Sequence, residues 1–260
     1  MLMPRIMPCL LLKDGGLVKT VKFKNPGYIG DPINAIRIYN EKEVDELIFL
    51  DITATIEKRD PPYQKLTEIA SECFMPVTYG GGVRDVETIR HILSLGIEKV
   101  SVNSYAVENP DFVRAAADRF GSSTIVASID VRKKLFGQYE VVIDGGRKGT
   151  GFDPVTFAVK MEQMGAGEIL LNSVERDGTQ KGYDIDLIKS VTGAVGIPVI
   201  ACGGAGQVED FSAAVADGGA SACAAGSMFV YYGTNRAVLI TFPERRKLEE
   251  ALKPGGDVSG

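Results

Sequence analysis

Short apolar runs rich in β-branched residues recur along the chain near residues 4–12, 45–51, 75–79, 98–103, 123–130, 167–172, 197–202 and 220–226. Runs of this length bounded by turn residues read as buried strands. Between them, segments such as 61–74, 85–95, 110–120, 154–164 and 208–216 carry Leu, Ile, Ala and Phe at three- and four-residue spacings, the pattern of amphipathic helices. Strands that alternate with helices must run parallel, and eight such units predict a closed (β/α)8 barrel of the α/β class. Asp153-Pro154 and Asn109-Pro110 each place an N-cap side chain before a proline at the first helical position, and Gly96, Gly121 and Gly165 stand where helices should stop. Two connections exceed what a barrel needs. Residues 13–31, with Lys13, Lys19, Lys22 and Lys24 around Val18, Val21 and Phe23, read as a basic lid; residues 131–152 read as a hairpin between the fifth strand and its helix. A single barrel over residues 1–253 and a frayed tail over 254–260 complete the expected organisation.

The pattern repeats at an interval of about 122 residues. Pro76-Val-Thr-Tyr-Gly80-Gly81-Gly82 has its counterpart in Pro198-Val-Ile-Ala-Cys-Gly203-Gly204, and Asn103-Ser104 in Gly226-Ser227. A repeat this long is half a domain, so it predicts two related half-barrels with two related sites. Each site has the parts of a phosphate cup: glycines let backbone N–H groups approach an anion, and the following serine adds a donor. Gly81, Gly82, Asn103 and Ser104 form one candidate cup, and Gly203, Gly204, Gly226 and Ser227 the other.

Composition narrows the partners. The 260 residues are 45% hydrophobic with a net charge of −5 and a pI near 5.1. An acidic chain is a poor match for nucleic acid or an anionic membrane, which select a basic face. No run approaches the roughly 20 apolar residues of a membrane span, and the apolar first residues lack a signal-peptide cleavage site, so the expected location is cytoplasmic. Cys9, Cys73, Cys202 and Cys223 are isolated, which predicts reduced thiols rather than disulfides or a metal site. No cofactor is indicated.

In a parallel barrel chemistry gathers at the C-terminal strand ends. Three acids fall there: Asp51, Asp130 and Asp177. They are the candidate acid–base groups, because the only histidine, His91, lies in a helical segment away from any strand end. The repeat aligns 6–12 with 125–131, which sets Leu11 opposite Asp130, so one member of a carboxylate pair is missing. At the other mouth Arg5, Glu46, Lys99 and Glu168 stand at strand starts. Their alternating charges read as a salt-bridge ring, and a ring that closes a barrel can also gate a small neutral passenger.

Lys13-Asp-Gly, Gly30-Asp-Pro32, Asp45-Glu-Leu-Ile-Phe-Leu-Asp51, Gly80-Gly-Gly, Val107-Glu-Asn-Pro110, Gly165-Ala-Gly-Glu168, Arg176-Asp-Gly-Thr, Gly182-Tyr-Asp184 and Gly203-Gly-Ala-Gly206 follow one another in order. With these motifs the chain resembles the cyclase subunit of imidazole glycerol phosphate synthase over nearly its whole length. The resemblance implies a barrel that docks a glutaminase on its bottom face and passes ammonia up through a charged gate, matched here by Arg5, Glu46, Lys99 and Glu168. At the top mouth, it implies cyclisation of a bisphosphorylated ribulosyl formimino-carboxamide to imidazole glycerol phosphate and an aminoimidazole carboxamide ribotide. Lys19 matches the family's lid lysine, the two glycine–serine sets match its phosphate groups, and Asp130 matches one catalytic aspartate. The other falls on Leu11, a loss that should cost on the order of 10²–10⁴ in rate. Asn172 stands where the family has Thr. The segment from Pro4 to Asp51 is similar to a branch found with surface-polysaccharide genes, in which the barrel and its glutaminase supply ammonia to a separate sugar amidotransferase.

Overall fold

The computed structural model describes residues 3–253, so the expected tail over 254–260 lies outside the described residues. The first half of the chain forms β1 (Arg5–Lys13), β2 (Gly16–Val21), β3 (Lys24–Gly30), α1 (Pro32–Glu41), β4 (Leu47–Asp51), α2 (Tyr63–Glu72), β5 (Val77–Gly80), α3 (Val86–Ser94), β6 (Lys99–Val102), α4 (Ser104–Glu108) and α5 (Pro110–Phe120). The second half forms β7 (Ile125–Lys133), β8 (Tyr139–Ile143), β9 (Lys148–Gly149), α6 (Pro154–Gln163), β10 (Glu168–Ser173), α7 (Ile185–Thr192), β11 (Val199–Cys202), α8 (Val208–Ala216), β12 (Ala222–Ala225), α9 (Ser227–Val230), β13 (Tyr231–Tyr232), β14 (Ala237–Val238) and α10 (Arg245–Leu252).

Strands β1, β4, β5, β6, β7, β10, β11 and β12 pair in that order, all parallel, and β12 pairs back to β1. The predicted (β/α)8 barrel is therefore the fold. Its strands are apolar almost throughout because both of their faces are buried. Alternate residues divide between two cores: Ile6, Leu10, Phe49, Tyr79, Val100, Ile129 and Leu171 pack outward against the helices, and Met7, Cys9, Ile48, Val126, Leu170, Ile200 and Ala224 fill the lumen. The period of two thus decides which positions can carry lumen chemistry.

Helix α1 was not among the expected helices, since Ile33, Ala35, Ile36, Ile38 and Tyr39 are too dense to show a clear stripe. Asp31 starts it, accepting from the Ile33 and Asn34 N–H groups, and its face of Ala35, Ile36 and Tyr39 is buried. Asp153 caps α6 as expected, through the Thr156 N–H at 2.8 Å. Asn109 does not cap α5. It also ends α4, donating its backbone N–H to Tyr105 O, and its side chain turns to the Tyr105 hydroxyl instead.

Both long connections are hairpins. β8 runs antiparallel to the end of β7, as expected for 131–152. The segment expected as a basic lid is β2–β3, antiparallel to the end of β1. Leu17, Val18, Lys19 and Thr20 are buried in succession, which hides strand alternation from a sequence reading. Among the described residues, no helix is long and apolar enough to cross a membrane.

Candidate functional site

At the strand starts the four predicted charges close on one another. Arg5 reaches Glu46 at 2.6 Å and Glu168 at 2.7 Å, and Lys99 reaches the same two acids at 3.1 and 3.2 Å. Thr78, unmarked in the sequence, adds a hydrogen bond to Glu46 at 2.8 Å. Two cations and two anions in alternation leave the ring neutral, which offsets the cost of holding Glu46 almost fully buried.

Above the ring the lumen is apolar, then opens at the strand C-termini into a cavity of about 730 Å³. That volume suits a small-molecule ligand. Every mouth residue singled out from the sequence lines it: Asp51, Asp130 and Asp177; Lys19 and Asn172; Gly81, Gly82, Asn103 and Ser104; and Gly203, Gly204, Gly226 and Ser227. Leu11 lines it as well. His91 lies outside, stacked on Tyr63 at 4.0 Å.

The three acids have different surroundings. Asp51 holds a two-point contact with Arg59 at 2.7 and 2.8 Å and accepts from the Thr53 and Ala54 N–H groups. Asp177 binds Lys19 Nζ at 2.7 Å and the Thr20 hydroxyl at 2.8 Å, and its backbone carbonyl accepts from Lys22. Both acids are neutralised by a cation, and Asp177 fastens the β2–β3 hairpin over the mouth. Asp130 pairs with no cation among the described residues. Its neighbours are the amides of Asn103, whose Nδ2 lies 3.2 Å away, and Asn172, its register partner on β10. Burial pushes the Asp130 carboxyl up to about 7, with hydrogen bonding from Asn172 opposing the rise, the charge of Asp177 adding to it and Asn103 opposing it. A carboxyl poised near neutrality can both give and take a proton. Asn172 is buried, and its Oδ1 has no hydrogen-bond partner among the described residues.

The cup glycines are required by the chain as well as available to a ligand. Gly81 has φ of 125° and Gly204 123°. A Cβ on Gly81 would lie 2.6 Å from Asp51 O, and one on Gly204 would strike Gly182 O. Close backbone packing thus explains glycine at both positions before any anion is considered. The serines add the sharper signal. Ser104 accepts from the Asp144 N–H at 3.2 Å and donates to Asn103 Oδ1, whereas Ser227 accepts from Arg236 at 3.4 Å.

Arg59 and Arg236 escaped the sequence reading. Each acts across a turn, Arg59 eight positions beyond Asp51 and Arg236 nine beyond Ser227. No period links such a pair. Among the described residues no group of three or more His, Cys, Asp or Glu is placed to hold a metal ion.

Fold and site together define a half-barrel-duplicated (β/α)8 protein with a charged ring at its floor and a polar, carboxylate-bearing mouth. The sequence pattern of the histidine biosynthesis protein family matches residues 5–236. The chain is 51% identical over 245 residues to a Pseudomonas aeruginosa protein provisionally named imidazole glycerol phosphate synthase subunit hisF2, covering 94% of this chain and 98% of the relative. It is 46% identical over 250 residues to a Leptospira interrogans protein provisionally named subunit HisF of the same synthase, covering 96% and 98%. A Vibrio vulnificus protein, provisionally subunit hisF3, is 44% identical over 254 residues, covering 97% and 98%. The chain belongs to the histidine biosynthesis protein family, among barrels like the cyclase subunit of imidazole glycerol phosphate synthase.

Proposed function

We propose that this barrel is the ammonia-receiving subunit of a glutamine amidotransferase complex, with its own cyclase chemistry impaired. A glutaminase docks at the strand starts, and ammonia enters through the ring of Arg5, Glu46, Lys99 and Glu168. The two glycine–serine cups hold the two phosphates of a small ligand. Asp130 is the remaining proton-transfer group; Asp51 and Asp177, each paired to a cation, hold the mouth in shape and position Lys19. The ammonia serves a sugar amidotransferase of surface-polysaccharide synthesis.

One observation carries this reading. Leu11 and Asp130 line the same cavity from strands that occupy matching places in the two halves. A two-carboxylate acid–base reaction would find a carboxyl on one side and an apolar branch on the other. Support for the polysaccharide setting is confined to the resemblance of residues 4–51.

A second reading, a working cyclase of histidine synthesis, is favoured by the Asp130 carboxyl itself, since a group near pH 7 can act as acid and base in turn. The two separate in one assay. The purified chain is mixed with the bisphosphorylated ribulosyl formimino-carboxamide and an ammonium salt, and imidazole glycerol phosphate is measured. Turnover near background is expected; vigorous turnover sinks the first reading and sustains the second. A third reading, a module that only docks and activates a glutaminase, predicts glutamine hydrolysis that is stimulated on mixing, unaffected by Asp130→Asn and lost on disruption at Lys99.

A further inference from the structure

Beyond the last strand of the barrel the chain makes a small hairpin, β13 and β14, joined through residues 233–236. Arg236 sits at its turn with φ of 51°, a backbone conformation unfavourable for a residue with a side chain. Its guanidinium lies 4.6 Å from the centre of the Tyr231 ring. From there Nη2 donates to Gly178 O at 3.1 Å and to Ser227 Oγ at 3.4 Å. The arginine is thus stacked and aimed at the second cup.

Three features bear on its role, the first of which separates it from Lys19 and Arg59. Lys19 is tied to Asp177 and Arg59 to Asp51, yet Arg236 makes no ion pair among the described residues. A guanidinium carries five N–H donors, and the contacts described engage Nη2 alone, so donors remain for an anion. Because arginine only donates, Ser227 Oγ must accept, and its hydroxyl proton is left for the cup. At the first cup the corresponding proton is consumed, since Ser104 donates to Asn103 Oδ1 at 3.3 Å.

We propose that Arg236 is a phosphate ligand of the second cup and makes it the tighter of the two anion sites. The inference rests on the reading that both cups take phosphoryl groups. The stacked guanidinium presents a planar fork that matches phosphate oxygens, and its orientation is set in advance by Tyr231. Lys19, paired with Asp177, borders the cup from the other side, its stem running beside Gly226, where a Cβ would lie 3.0 Å from Lys19 Cε. The second cup therefore favours a dianionic phosphate monoester.

Inorganic phosphate titrated calorimetrically into the full chain tests this. Two sites of unequal affinity are expected. Arg236→Ala should weaken the tighter one roughly tenfold to a hundredfold and leave the weaker unchanged; Ser104→Ala should move only the weaker. Should Arg236→Ala unfold the chain, Arg236→Gln, near in length but uncharged, decides the matter with the same expected loss. Two sites of equal affinity in the native chain, or native affinity in the folded arginine variant, overturn the arginine's role alone. No phosphate binding by the native chain overturns the cup reading and the arginine's role with it.

Discussion

Strand β1 runs nine residues from Arg5 to Lys13 and gives its end to an antiparallel hairpin, with Leu11 registered on Val18. Strand β7 runs nine residues from Ile125 to Lys133 and does the same, with Asp130 registered on Val142. The backbones reach the mouth alike, and the side chains they deliver differ in charge, hydrogen bonding and solvation. Around Asp130 stand two amides that engage its carboxyl. Around Leu11 the first half offers Leu50, its register partner on β4. At the floor the halves match in their acids alone: Glu46 and Glu168 stand 122 residues apart and each meets both cations, and both cations, Arg5 and Lys99, come from the first half. The halves share the frame and one acid each at the floor, and they part at the ring's cations and at the mouth positions held by Leu11 and Asp130.

The largest test gives the first half an acid to match Asp130. Leu11→Asp, assayed with ammonium salt and the bisphosphorylated ribulosyl substrate, should raise cyclase turnover by roughly 10²–10⁴ over the native chain. Position 11 already faces the cavity, so the new carboxyl needs no change of backbone. A variant that folds, binds phosphate and stays at the native rate would show that the halves differ in more than this residue.

A smaller effect concerns what the second half expends to keep its acid. The Asp130 carboxyl rises from 3.8 to about 7 on folding, so the folded chain binds that proton more tightly than the unfolded one. Ionised Asp130 therefore lowers stability at pH above about 7; the penalty shrinks as pH falls between the two values and is gone below about 4. Asp130→Asn should stabilise the chain at pH 8 by on the order of 1–3 kcal/mol and change little at pH 4. Urea midpoints at the two pH values measure it. A variant equally destabilised at both would mean that the carboxylate is held comfortably, and that the two halves pay similar costs.

Much of this was legible in the chain. Eight apolar runs placed the barrel strands, because a parallel strand buried on both faces has no polar interruption to confuse its reading. The repeat of about 122 residues placed the glycine–serine pairs, and the alignment of its first strands, 119 residues apart, set Leu11 against Asp130. Partnerships across turns were hidden. That Arg59 occupies Asp51, or that Lys19 and Thr20 share Asp177, follows from how loops fold back, which no periodicity encodes. The segment read as a basic lid is the β2–β3 hairpin, and what its lysines could not tell is that Lys19 is buried against an acid far along the chain.

The smallest test returns to matching positions in the halves. Asp85 precedes α3 with φ −150° and ψ 162°, and Gln207, 122 residues on, precedes α8 with φ −148° and ψ 167°. The backbone has been kept and the capping exchanged. Asp85 accepts from the Thr88 N–H at 2.7 Å. In the second half Asp210 reaches back, accepting from the Gly206 and Gln207 N–H groups at 2.7 and 3.1 Å. Removing an N-cap acceptor costs about 1 kcal/mol. Asp85→Ala and Asp210→Ala should each lower stability by about that amount, and Gln207→Ala by less than about 0.5 kcal/mol. Urea midpoints rank the three. A Gln207→Ala loss as large as that of Asp85→Ala would mean the residue before the helix holds both ends alike, and that the halves diverge only at the ring's cations and the mouth.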